Sequence, residues 1–265
     1  FFRLNKHAVA HNYYFVGVYH FPKLFLSVKI IKRFSNLNLF YLLIRTVILH
    51  RSFGEYMKEL WNQRYSLEEY KYGKEPNQFF KEELSRLKPG RIILPGDGEG
   101  RNAVYAAASG WKVDAFDFSE EGKVKALKLA EDSGVKINYD IKDFSEFKPD
   151  NENNDAAAII FIHLEEEQRR FLYEKIIASL KPGGKIIFEC FEKDQINFQS
   201  GGPKDMELLY SLEEVVNLFI DLEFEHITKE KVFLNEGKGH LGEGVVIRFV
   251  GIKSQQRIET HPGNN

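Results

Sequence analysis

From residue 76 onward, apolar positions recur with periods that alternate between helical and extended. "PNQFFKEELSRL" spaces its apolar residues along one face of a helix and stops at the turn "KPG". "RIILP" then reads as a short buried strand, "GDGEG" as a bend, and "RNAVYAAASG" as a small-residue helix closed by Gly110. "WKVDAFD" predicts a second strand, the run from Ser119 to Gly134 an amphipathic helix, and "VKINYD" a third strand. This β-α-β-α-β order implies right-handed crossovers and a parallel sheet. Near the C-terminal end, "LEFEHITKEKVFLN" and "GEGVVIRFVGIK" are β-rich runs joined by the glycine-rich "EGKGHLG", the pattern of a long hairpin. The domain is expected to span 57–253, with a polar, disordered tail from 254 to 265.

Residues 1–56 break this order. They are rich in Phe, Tyr, Ile, Leu and Asn, show no sustained period, and carry eight Lys/Arg against the single acid Glu55. From Met57 onward, 29 basic residues face 38 acidic ones. The best apolar run, "LNLFYLLIRTVILH", is interrupted by Arg45 and is shorter than the roughly 20 residues that a bilayer requires. No small-residue cleavage site follows an apolar region, which argues against a secretory signal. Two readings stay open, a genuine extension of the basic, aromatic membrane-surface kind and a translated AT-rich leader ahead of Met57.

Composition adds exclusions. With 265 residues, 43% of them apolar, there is material for a packed core. A lone Cys190 allows neither an intrachain disulfide nor a cysteine metal cluster, which suits the cytoplasm, and the scattered histidines show no zinc spacing. A formal charge of -2 gives no global preference for nucleic acid.

The tight bend carries the chemistry. In a parallel sheet, ligands bind beyond the carboxyl ends of the strands, and the loop after the first strand lies at the switch point. Gly96, Gly98 and Gly100 permit positive φ and close backbone approach, and Asp117, ending the second strand, is placed to accept from two ribose hydroxyls. A dinucleotide fingerprint would need glycine where Arg101 stands, and no GK[ST] triplet follows, so a P-loop is excluded. A nucleoside site is the expectation, against a plain tight turn.

With these residues in place, the chain resembles the class I S-adenosylmethionine-dependent methyltransferases over roughly residues 57–253. "LPGDGEGRNA", "VDAFDFS", "DIKDF", "DAAAIIFIHL" and "LKPGGKIIFECF" carry the resemblance in order and spacing. "GEGRN", "YGKEPN", "GGP" and "EGKGHLG" narrow it to a bacterial subgroup near the tellurite-resistance and thiopurine-type methyltransferases. The resemblance implies a Rossmann-like α/β fold with helices on both faces of a seven-stranded, mostly parallel sheet whose last strand is antiparallel. It implies S-adenosylmethionine as cofactor, held by Gly96, Asp97, Gly98, Gly100, Arg101, Asn102, Asp117, Phe118, Ser119, Asp143, Phe144, Phe161 and Ile162, with Asp143 meeting the adenine amino group. Trp61, Tyr65 and Tyr72 would cover the methionine part, where aromatic faces suit a sulfonium cation, or else staple the leading helix to the sheet.

His163 is the candidate catalytic residue, a base near the transferred methyl or else a polar residue opening the next helix. His240 and Glu236 belong to the expected hairpin loop and, with the turn at Gly201, to the acceptor side. The expected activity is methyl transfer to a small-molecule acceptor with a soft nucleophile, a thiol, selenol or tellurium oxyanion, by a monomer or homodimer with no stable membrane insertion. Rival readings are a nicotinamide-dependent oxidoreductase and a non-catalytic S-adenosylmethionine-binding module.

Overall fold

The computed structural model describes residues 55–149 and 152–254. The chain divides into two compact units, Phe1–Tyr56 and Met57–Asn265. The expected extension, apart from Glu55 and Tyr56, and the tail beyond Ser254 lie outside the described residues. Among the described residues no helix is long and apolar enough to cross a membrane.

Within the larger unit, residues 57–65 are helical (α1) and a polar, largely irregular segment leads to α2 (Gln78–Ser85). The alternating elements follow as β1 (Arg91–Pro95), α3 (Arg101–Ala108), β2 (Lys112–Asp117), α4 (Glu120–Asp132), β3 (Asn138–Ile141), β4 (Asn154–Ile160), α5 (Glu166–Ser179) and β5 (Leu180–Phe191). A short α6 (Leu212–Leu218) precedes the hairpin strands β6 (Leu222–Glu236) and β7 (His240–Lys253). The seven strands lie in the order β3-β2-β1-β4-β5-β7-β6, and β7 runs antiparallel to both neighbours. This is the expected Rossmann-like arrangement.

Strand alternation sorts the core onto two faces. Ile93 of β1 packs with Ile159, Leu172, Ile176 and Phe188, while Ile92 and Leu94 pack with Phe80, Ala103 and Ala126. Helices α2, α3 and α4 therefore cover one face, and α5 and α6 the other. A side chain at Gly100 would collide with the backbone of Ala126, so the third glycine of the bend lets α3 and α4 approach.

"KPGG" is taken up in β5, which begins at Leu180 with a register shift against β4. One local expectation is corrected. The hairpin is tighter than "EGKGHLG" suggests: Glu236 pairs with His240, so His240 opens β7 as a buried strand residue.

Candidate active site

The parallel order brings the ends of β1, β2, β4 and β5 to one edge, and the glycine bend lies at its centre. The φ values of Gly96, Gly98 and Gly100 are 61°, 54° and 86°, a region costly for residues with a Cβ. The Asp117 carboxylate holds the bend by accepting the Gly98 N–H at 3.1 Å and the Ser119 N–H at 2.9 Å. Burial raises Asp117 to about 6, against the pull of the backbone N–H groups of Ser119, Gly98 and Phe118. Asp97 turns back to accept the Ala103 N–H at 3.1 Å, one of the free donors of the first turn of α3. Burial lifts it to about 7, although the Ala103 N–H and Arg101 oppose the shift. From β3, the Tyr139 hydroxyl donates to the Gly98 carbonyl at 2.6 Å.

The segment before the core lies over this bend. Tyr65 is buried against Gly98 and Gly122, and Trp61 packs on it with ring centroids 5.3 Å apart. The Asn62 Oδ1 accepts the Ser119 hydroxyl at 2.7 Å and the Glu120 N–H at 3.0 Å, capping α4 from outside its own helix. Glu99, at the crest of the bend, accepts the Lys71 N–H at 2.7 Å and the Lys125 Nζ at 2.8 Å, which fastens the segment to α4.

On the adenine side expected from the sequence, Phe118 meets Phe144 edge-on at 6.5 Å. Phe144 and Ile162 both approach Gly96 so closely that a Cβ there would lie 3.1 and 3.2 Å from them. Asp143 is exposed and caps a short 3-10 turn through the Ser145 N–H at 2.8 Å.

The other side of the edge is a row of rings. Phe161, the residue after β4, has a positive φ of 53°, unusual for a residue with a side chain, and stacks on Phe191 at 4.5 Å. His240 stands edge-on to Phe161 at 4.4 Å and to Phe191 at 5.1 Å, and touches Tyr72 at 4.5 Å. His163 stacks on Phe191 at 5.6 Å and meets Tyr210 at the same distance. Its Nδ1 contacts the Leu208 carbonyl at 2.9 Å, and burial pushes the imidazole down to about 4. The turn at Gly201 lies against His240. The expected acceptor-side residues are thus brought together.

A charged network lies beneath the rings. Arg101 donates to Glu236 at 2.7 Å and to the Tyr72 carbonyl at 3.2 Å. Burial disfavours the Glu236 charge, but the His240 hydrogen bond and Arg101 outweigh it and hold the carboxyl at about 2. The Asn77 amide donates to Glu189 at 2.6 Å and to Glu236 at 2.9 Å, while its N–H donates to Asn102 Oδ1 at 2.9 Å. Arg248 Nε donates to Glu189 from the far side at 2.9 Å. Arg101 and Asn102 therefore have protein partners in addition to their place beside the bend. Sequence reading missed Asn62, Asn77, Glu99, Tyr139, Glu189 and Arg248. Glu189 had a signal, an acid within the apolar strand "KIIFECF".

Residues 92–184 match the family described as "Methyltransferase domain". Among curated proteins none matches. Solved structures share the fold. One, concerned with conversion of a disulfide bond into a thioacetal group during echinomycin biosynthesis, gives a TM-score of 0.61 at 16% identity over 76% of this chain and 93% of that one. TehB from Haemophilus influenzae gives 0.57 at 16% identity over 68% of this chain and 63% of its own. The N-methyltransferase NodS from Bradyrhizobium japonicum WM9, in complex with S-adenosyl-L-homocysteine, gives 0.57 at 13% identity over 73% and 97%.

Proposed function

We propose that this chain, a methyltransferase by the domain it carries, binds S-adenosylmethionine at the glycine bend and passes the methyl group to a small-molecule acceptor with a soft nucleophile. The acceptor class would be a thiol, selenol or tellurium oxyanion, as the resemblance to the tellurite-resistance and thiopurine-type enzymes suggests. The observation that carries the cofactor reading is the grip of Asp117 on the bend. Its two oxygens accept the Gly98 and Ser119 N–H groups and retain acceptor capacity for a ribose hydroxyl. Gly96 and Gly98, both at positive φ, let Phe144, Ile162 and Tyr65 close directly onto the backbone of the bend.

When bound, the cofactor supplies a sulfonium-activated methyl group whose leaving group is a neutral thioether. The chain is left with positioning, which is worth about 7–11 kcal/mol when the reacting atoms are held near 3–3.5 Å. Phe118, Phe144 and Ile162 would bound the adenine. Trp61 and Tyr65 close the bend from above, while Tyr72 and Phe161 face the acceptor side and exclude water there. His163, neutral and anchored to Leu208, is poorly suited to strong base catalysis, which favours an acceptor that needs little deprotonation.

Calorimetric titration with S-adenosylhomocysteine and with NADH tests the cofactor, and single-turnover assays with thiols, selenols and tellurite test transfer. Binding of S-adenosylhomocysteine in the micromolar range, with NADH weak or silent, is expected. Tighter binding of NADH would overturn the reading in favour of the oxidoreductase.

A further inference from the structure

The glycine bend is covered by this chain's own side chains. Tyr65 lies over Gly98, where an added Cβ would sit 3.0 Å from its ring, and Phe144 and Ile162 lie over Gly96. Gly122, in the first turn of α4, leaves room for the same ring: a Cβ there would come within 3.2 Å of Tyr65 and 2.9 Å of the Gly98 carbonyl. Burial raises the Tyr65 hydroxyl well above its usual range and the charge of Asp117 adds to the shift, so the hydroxyl lies in the field of the acid proposed for the ribose. Tyr65 and Asp117 are each only 5% exposed. A nucleoside therefore reaches Asp117 and the Gly98 backbone only after a covering side chain withdraws.

Of these side chains, Tyr65 is the one built to move. Ile162 belongs to the core and its carbonyl accepts the Tyr210 hydroxyl at 2.9 Å, while Phe144 packs edge-on to buried Phe116 at 6.0 Å. In α1, by contrast, Tyr65 is the only buried residue, and residues 66–69 after it are all exposed. Beyond them the chain is pinned again, by the Tyr70 hydroxyl on the Lys125 carbonyl at 3.0 Å and by the Lys71 N–H on Glu99. Helix α1 is thus a lever on an exposed joint. One ring, the Asn62 contacts with Ser119 and Glu120, and the half-exposed Lys58–Glu120 pair at 2.7 Å hold it down. So few buried contacts make local opening inexpensive relative to unfolding of the sheet.

We propose that Tyr65 is an autoinhibitory plug: it holds the Gly98–Asp117 side of the bend closed, and α1 must swing out about residues 66–69 before the cofactor enters. This rests on the S-adenosylmethionine reading and adds the regulation of that same site. The closed form weakens apparent affinity in proportion to the fraction of chains that are shut, and at high cofactor concentration opening, not encounter, limits the rate. Once the nucleoside is seated, the same lever rests on it from outside and excludes water.

The test mixes the full chain with S-adenosylhomocysteine in a stopped-flow instrument and follows tryptophan emission. In the unaltered chain the observed rate should level off as titrant rises, at the opening rate of α1. Tyr65→Ala should bind about tenfold faster at low concentration, with a rate that keeps rising linearly. Asn62→Ala, which keeps Tyr65 in place and frees α1 from Ser119 and Glu120, should raise the plateau several-fold. A linear rate in the unaltered chain would overturn the proposal, as would slower or weaker binding by Tyr65→Ala, the result expected if Tyr65 is a wall of the cofactor site. An unmoved plateau in Asn62→Ala would do the same. Silence of both the unaltered chain and Tyr65→Ala at every concentration would instead overturn the cofactor reading, and the plug with it.

Discussion

Tyr65 lies so close to Gly98 that a Cβ on the glycine would sit 2.6 Å from its hydroxyl oxygen. The covering segment and the bend therefore fit only because the bend has no side chain there. Gly98→Ala meets two penalties, the positive φ of 54° and this overlap. The backbone alone should cost about 1–3 kcal/mol, read as a lower melting temperature, with a parallel loss of affinity for S-adenosylhomocysteine. Tyr65→Phe in the same chain removes the closest atom and should restore part of the affinity but not the backbone cost. Full recovery of both would show that the φ of Gly98 is immaterial.

Which parts of this site were legible follows from the kind of signal each leaves. Gly96, Gly98 and Asp117 announce themselves because a bend needs missing Cβ atoms and a strand end needs an acid, both local requirements. Tyr65 was readable only as a cover, since its contact with Gly98 joins segments separated by two elements. Asn77 and Glu99 left no readable trace, because their partners come from distant strands and from α4. His240 was placed in a loop because glycines on both sides suggest a turn. Backbone pairing to Glu236 carries β7 back through Gly242 to His240 and leaves only residues 237–239 as the turn.

Glu99 is the fastener between the bend and the covering segment, with Lys71 N–H and Lys125 Nζ both donating to it. Glu99→Ala leaves those donors without their acceptor, at a cost of about 1–3 kcal/mol. Amide exchange over residues 66–75 should quicken markedly in the free chain, and cofactor should restore part of the protection. Exchange there that matches the unaltered chain would show that the segment is held by its aromatic contacts alone.

Glu189 offers a test of the buried network through pH. Burial raises its carboxyl from 4.5 to about 7, with the charge of Arg248 opposing and that of Glu236 assisting. A folded-state value above the unfolded one means that the folded chain binds more protons across this window. The group therefore contributes most stability below it and loses that contribution as pH rises through about 7. Glu189→Gln lacks this dependence. In denaturant titrations at pH 5 and pH 8, the unaltered chain should lose ground against the variant at the higher pH. A gap independent of pH would mean that Glu189 does not titrate there.

The larger unit begins at Met57, and its sheet is complete among residues that follow. A chain shortened to start at Met57 is expected to melt within a few degrees of the full chain and to bind S-adenosylhomocysteine with unchanged affinity. A drop of many degrees in a calorimetric scan would show that the aromatic, basic segment contributes to this unit's stability.

Asp117 should make cofactor affinity and fold stability respond to acid in opposite directions. Its folded-state value of about 6 lies above the usual 3.8, so protonation is easier in the fold and the group's contribution to stability is lost as pH rises through about 6. Ribose hydroxyls need the ionised form as acceptor on both oxygens, so binding of S-adenosylhomocysteine should weaken as pH falls through the same value. Asp117→Asn keeps the shape and one acceptor oxygen but loses the charge, and should weaken binding by about 1–3 kcal/mol at pH 8. Asp97, raised to about 7, titrates nearby, so the measurement is the difference in pH slope between the unaltered chain and the variant. Calorimetry from pH 5 to pH 8 should show a shallower slope in Asp117→Asn. Identical slopes would assign the acid sensitivity to Asp97 and take the ribose contact away from Asp117.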